Sequence, residues 1–172
     1  TGLTGENKLG QAQQFINHPN CVAIVYPLGK SAGLSGAFVV GSKMLKQYLI
    51  NFSRSFIYTT GPSKQLIIQL RKQLATMMKK DTSFIFALKS QFLNSLSSHY
   101  QYITGPYGAV VGLITADKTQ NIESALMDDN LFVKAILSPT VQRGRERIRI
   151  CFHDFNTKNE IDSLLHILNS RL

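Results

Sequence analysis

Apolar residues change their spacing several times along this chain, and each change marks an element. Cys21 to Tyr26 and Ala37 to Val40 are short, apolar and rich in β-branched residues, which predicts two strands. Behind Ser42, Met44, Leu45, Tyr48, Leu49 and Phe52 recur at helical spacing, so a capped helix with these five residues in the core is expected. Ile57 to Gly61 reads as a short extended piece stopped by Gly61-Pro62. Ser63 then opens a long helix through Ile67, Leu70, Leu74 and Met77, with Met77 and Met78 filling core gaps. Asp81 or Thr82 restarts a helix carrying Ile85, Leu88, Phe92 and Leu96. Beyond it the period changes again: strands at Tyr100 to Ile103 and Ala109 to Thr115, a helix at Asn121 to Met127, and strands at Leu131 to Leu137 and Arg147 to Phe152. Thr157 with Glu160 forms a capping box for a last helix buried through Ile161, Leu164, Leu165 and Leu168. Strand, strand, helix, repeated once after residue 96, predicts a small α/β sandwich.

Composition narrows the class. The 172 residues are 44% hydrophobic and 17% charged, which suits a globular domain with a substantial core. No apolar run reaches the roughly 18 residues of a membrane span, and the first residues lack a signal-peptide layout. A cytoplasmic protein is therefore expected, with Cys21 and Cys151 as reduced, packed thiols. His18, His99, His153 and His166 have no metal-ligand spacing, so no metal is expected.

The net charge of +9 is unevenly spread, because no Asp or Glu occurs between Glu6 and Asp81. That half is expected to face an anionic partner, yet basic and aromatic residues do not interleave as in a single-strand binder, and no DNA-binding motif is present. No nucleic acid and no membrane partner are expected. A more acidic N-terminal half, a cofactor phosphate or the phosphates of coenzyme A account for the excess.

Chemistry concentrates at Lys30, between the first two strands and among Gly29, Ser31, Ala32, Gly33, Ser35 and Gly36. A primary amine near apolar strands, walled by small residues, suits a Schiff base to a flat aldehyde cofactor, of which pyridoxal phosphate is the common one. Gly29-Lys30-Ser31 is not a nucleotide-binding P-loop: Ile24 stands where that signature needs glycine, and Gly33 and Gly36 interrupt the helix that should come next.

The segment Pro27-Leu28-Gly29-Lys30-Ser31-Ala32-Gly33-Leu34-Ser35-Gly36-Ala37 resembles the lysine motif of the α-oxoamine synthases, a family of pyridoxal-phosphate enzymes. Thr1-Gly2-Leu3-Thr4-Gly5-Glu6-Asn7 resembles the stretch directly after that family's Asp-Glu-Ala-His-Gly motif, and Ile57-Tyr58-Thr59-Thr60 is similar to its Tyr-Ser-Thr turn. Ser138-Pro139-Thr140-Val141 and Arg147-Ile148-Arg149 are similar to its Pro-Thr-Val-Pro run and Arg-Leu-Arg strand. Four motifs in the family's order span most of the chain.

The resemblance implies a partial type I pyridoxal-phosphate transferase fold, of class α/β. Residues 1–62 would end the large parallel-sheet domain, 63–96 would form linking helices, and 97–172 the small C-terminal α/β domain. It implies an acyltransferase that condenses an amino acid with an acyl-CoA and releases carbon dioxide. Lys30 would hold pyridoxal 5'-phosphate and act as acid and base at the substrate Cα. Thr59 and Thr60 would reach the cofactor phosphate of the neighbouring subunit in a homodimer, and Arg149 would bind the substrate carboxylate. The aspartate that pairs the pyridine nitrogen and the family's active-site histidines would precede Thr1, so the chain needs an N-terminal half and should be inactive alone. Two positions depart from the family pattern. Pro27 replaces a usual threonine and removes a donor, and Leu137 stands where some members have arginine. An aminotransferase, or a catalytically degenerate interaction module of the same fold, stays open beside the acyltransferase.

Overall fold

The structure, a computed structural model, describes residues 1–170. They form two compact units, Thr1–Lys80 and a second from Asp81 onward. Among the described residues no helix is long and apolar enough to cross a membrane.

The first unit opens with glycine-punctuated loops, in which Gly2 N–H donates to the Lys8 carbonyl and Gly10 N–H to that of Thr4. Strands β1 (Ala23–Pro27) and β2 (Ala37–Gly41) come next and pair antiparallel from Ala23 opposite Gly41 to Pro27 opposite Ala37. Alternation buries Ile24 and Tyr26 on one face of β1, and Tyr26 stacks on its cross-strand partner Phe38 at 4.8 Å between ring centroids. Helix α1 (Lys43–Phe52) is capped by Ser42, whose hydroxyl accepts from Leu45 N–H at 3.0 Å.

The five apolar residues expected in the core of α1 are not all there. Leu45 and Leu49 are half-buried, whereas Met44, Tyr48 and Phe52 are 78%, 60% and 67% exposed. The helix is turned so that one side of its apolar stripe faces protein, and Tyr48 and Phe52 pack on each other at 4.9 Å. The extended piece expected from Ile57 is also absent. Arg54–Ile57 forms a short helix, α2, and the Thr59 hydroxyl donates back to the Ser55 carbonyl, a local side-chain bond that competes with strand formation. Helix α3 (Lys64–Lys79), capped by Ser63, buries Met77 and half-buries Leu70 and Leu74 against Leu28, Ala32, Leu34 and Phe38. Met78, expected beside Met77 in the core, is exposed because it leaves the helix on another side.

The second unit has the expected order. Helix α4 (Ser83–Ser95) is followed by β3 (Gln101–Thr104), β4 (Val110–Ile114), α5 (Thr119–Asp128), β5 (Lys134–Ile136), β6 (Arg147–Cys151) and α6 (Lys158–Asn169). The sheet runs β3-β4-β6-β5, antiparallel throughout. Its core holds Leu88, Phe92, Val111, Leu113, Ile122, Leu126, Ile148 and Leu168, with Phe92 and Phe152 in ring contact at 5.6 Å. Thr157 and Glu160 make the capping box of α6 in both directions. Lys89 is buried in α4: Nζ donates to the Gly105 and Gly108 carbonyls at 2.7 and 2.8 Å, and burial lowers its pKa. Both cysteines are free, but Cys151 lies on the exposed face of β6 and is not the packed thiol expected of it.

Candidate functional site

Lys30 sits on a turn that the backbone pins at its base. Leu28 N–H donates to the Gly36 carbonyl at 2.9 Å, Leu34 N–H to that of Leu28 at 3.0 Å, and Gly33 N–H to that of Lys30 at 3.0 Å. Gly33, with φ +61°, takes the left-handed conformation this turn requires. Two residues to either side of the lysine, Leu28 and Ala32 are 6% and 4% exposed and pack with Met77 of α3. The turn is thus nailed to a helix at both ends while Lys30 itself is exposed. A Cβ built on Gly33 would meet nothing within 4 Å, so the turn is open on that side.

A second loop lies against this turn. Gly2 has φ +87°, and a Cβ there would stand 2.6 Å from Ser31 Cβ and 2.9 Å from Ser31 Oγ. The Thr1–Gly10 loop therefore seats directly on the neighbour of Lys30. From the sequence Gly2 is only one member of a glycine-rich stretch, because nothing local to it reveals contact with Ser31.

Thr59 and Thr60 are exposed and belong to the same unit as Lys30. The Thr59 hydroxyl donates to the Ser55 carbonyl, which fixes its rotamer at the end of α2. Pro27 ends β1 with no N–H to offer the turn.

Arg149 belongs to the second unit, on the outward face of β6 that alternation predicts, with Ile148 and Ile150 buried behind it. It lines a cavity of about 490 Å³ together with Phe132, Lys134, Cys151, His153 and Phe155. His153 stacks on Phe155 at 4.8 Å. Arg147, on the same face, is committed elsewhere. Its stem lies over Gly112, where a Cβ would stand 3.3 Å from its Cδ, and its Nε donates to the Arg145 carbonyl at 3.0 Å. No hydrogen bond or ion pair engages the Arg149 guanidinium among the described residues.

The family model described as aminotransferase class I and II matches residues 2–168. The chain belongs to that family. An 8-amino-7-oxononanoate synthase of Pseudomonas entomophila is 30% identical over 173 residues, 97% of this chain and 44% of that protein. The solved 8-amino-7-oxononanoate synthase of Francisella tularensis matches with a TM-score of 0.84 at 23% identity, over 99% of this chain and 51% of that one. A serine palmitoyltransferase solved with pyridoxal phosphate as an internal aldimine matches with a TM-score of 0.83 at 19% identity, over 99% of this chain and 44% of that one. The last two likenesses establish the fold, that of type I pyridoxal-phosphate transferases. The curated relatives named here are 8-amino-7-oxononanoate synthases, and the chain spans under half their length.

Proposed function

We propose that this chain carries the lysine-bearing and carboxylate-binding parts of a pyridoxal-phosphate acyltransferase that joins an amino acid to an acyl-CoA with loss of carbon dioxide. The observation that carries the reading is the Lys30 turn, exposed at its amine and anchored by Leu28 and Ala32 on Met77. Pyridoxal phosphate, when bound, supplies an aldehyde for a primary amine and a pyridine ring that draws negative charge away from the substrate Cα. The residues present fit it: Lys30 offers that amine on an exposed turn, and Thr60 offers a hydroxyl for a phosphate, while Thr59 reaches one only by releasing its bond to the Ser55 carbonyl.

Lys30 Nζ takes the proton from the substrate Cα and returns it, a role for which an amine on an anchored turn is well placed. Arg149 orients the substrate through its carboxylate, two parallel N–H donors fixing its plane. The relatives named as 8-amino-7-oxononanoate synthases favour the acyltransferase reading, while the family model's own description keeps a plain aminotransferase as the second. Acyl-CoA binding by the full-length protein separates them. The exposed Met44, Tyr48 and Phe52 of α1 support assembly as a homodimer.

Borohydride reduction of the cofactor-loaded full-length protein, followed by peptide mapping, tests the assignment. Label on Lys30 is expected, and label on another lysine overturns it.

A further inference from the structure

Charge in this chain is divided by unit. Thr1–Lys80 holds ten Lys and Arg against Glu6 alone, whereas the residues from Asp81 onward hold nine of each sign, so the net charge of +9 lies wholly in the first unit. Helix α3 carries four of those cations and no acid. Lys64, Ile68, Lys72, Ala75 and Lys79 follow one another at intervals of four, four, three and four residues, which places them in a single line along the helix. All five are exposed, and Arg71, also exposed, flanks the line. Its three lysines recur about every 10–12 Å over about 22 Å. Leu70, Leu74 and Met77 lie on the opposite side of α3, where Met77 meets Leu28 and Ala32 of the Lys30 turn. The line of cations therefore faces away from Lys30, and an anion bound at that lysine leaves it unanswered. Among the described residues no carboxylate engages Lys64, Arg71, Lys72 or Lys79.

We propose that the outward face of α3 docks the protein on an anionic phospholipid surface, with Lys64, Arg71, Lys72 and Lys79 on the headgroups and Ile68 at their apolar margin. Charge complementarity selects this partner, since a straight helix laid along a plane brings all four cations to it together. A cluster of four or more Lys and Arg on one helix is the pattern that holds proteins to anionic lipid. Three of the four are lysines, a residue depleted at protein–protein interfaces. Ile68, 54% exposed in the middle of the line, suits a bilayer margin better than a phosphate backbone. The expectation of no membrane partner rests on the lack of a spanning run and does not extend to contact of this kind. The docking is independent of the acyltransferase reading, because none of its residues belongs to the Lys30 turn or to the Arg149 strand.

Sedimentation of the full-length protein with vesicles tests the proposal, using phosphatidylcholine alone or mixed with phosphatidylserine. Binding to the mixed vesicles only is expected, and raising salt from about 0.1 M to 1 M, which shortens the Debye length from about 10 to 3 Å, should release the protein. Each cation removed from the surface should weaken binding about fivefold, so Lys64→Gln, Lys72→Gln and Lys79→Gln together should weaken it about a hundredfold. Glutamine keeps the helix propensity of lysine, and the urea midpoint of the triple variant should match that of the unmodified protein. Lys43→Gln with Lys46→Gln removes exposed charge from α1 instead and should leave binding within about twofold. Equal binding to both kinds of vesicle, binding to neither, or a loss per charge in the α1 variant as large as in the α3 variant overturns the proposal. Saturable capture of a DNA duplex or of polyglutamate through the same three lysines, with the vesicles left unbound, also overturns it and assigns the line to that partner.

Discussion

Gly2→Ala tests whether the lysine turn is held from outside by the Thr1–Gly10 loop. The substitution meets two separate obstacles. With φ at +87°, any residue with a Cβ suffers left-handed backbone strain of about 1–2 kcal/mol. The new methyl also lands 2.6 Å from Ser31 Cβ and 2.9 Å from its Oγ, so one of the two loops must move, an overpacking cost of about 1–3 kcal/mol. Together these give roughly 2–5 kcal/mol, to be read as a shift of the urea midpoint in the full-length protein. Because Ser31 adjoins Lys30, the same displacement moves the amine, and cofactor affinity should fall about tenfold or more.

Ser31→Gly in the Gly2→Ala background supplies the control. It removes the two shortest contacts and leaves Met77 Cε at 3.3 Å, a flexible methyl able to yield. The double variant should therefore recover the steric part and keep the backbone part, giving a coupling energy of about 1 kcal/mol or more in a double-mutant cycle. Strict additivity, or a Gly2→Ala protein with unchanged midpoint and cofactor affinity, would refute the contact.

Other parts of the chain yield three more expected outcomes. Arg149→Ala in the full-length protein should weaken amino-acid binding about tenfold to a hundredfold, read by calorimetry, with lysine a poor rescue because a point charge lacks the planar fork. Phe92→Ala, at a side chain with no exposure and in contact with Phe152, should cost about 3–5 kcal/mol in denaturant unfolding of the second unit. Thr157→Ala breaks the capping box and should cost about 1 kcal/mol. The Glu160 carboxyl titrates lower when folded than when unfolded, so its contribution is complete above the ordinary carboxylate range and disappears as pH falls through the lowered folded value. A urea-midpoint profile from neutral to acidic pH should accordingly lose part of its acid slope in Thr157→Ala.

Some of the fold and site is legible in the residues and some is not, for reasons that differ by element. The strand alternation of Arg147–Cys151 fixes both what is buried and what faces out, since a strand has only two faces. A helical period fixes an arc but not its orientation against a surface, so the stripe of α1 is apolar as its spacing predicts and yet only partly core. Lys89 adjoins Leu88 in helix α4 and is buried. Its burial depends on the Gly105 and Gly108 carbonyls, 16 and 19 residues onward, which no local pattern announces. Gly2 and Ser31 are hidden from each other for the same reason.

The pair Arg147 and Arg149 shows what the fold adds to a motif. Two residues apart on a strand, they share a face and a chemistry, so alternation alone cannot rank them. Their neighbours do. Gly112 lies opposite Arg149 in the register, and the space its missing side chain leaves is taken by the stem of Arg147, whose Nε then reaches the Arg145 carbonyl. Arg147 thereby gives up part of its fork to backbone and its stem to packing. Arg149 keeps its fork free beside the cavity, whereas Lys134, opposite it in the register, is paired with Glu123. An exposed guanidinium with its fork free can grip a carboxylate through two parallel N–H donors, and that is the physical support for assigning the substrate carboxylate to Arg149 and not to Arg147.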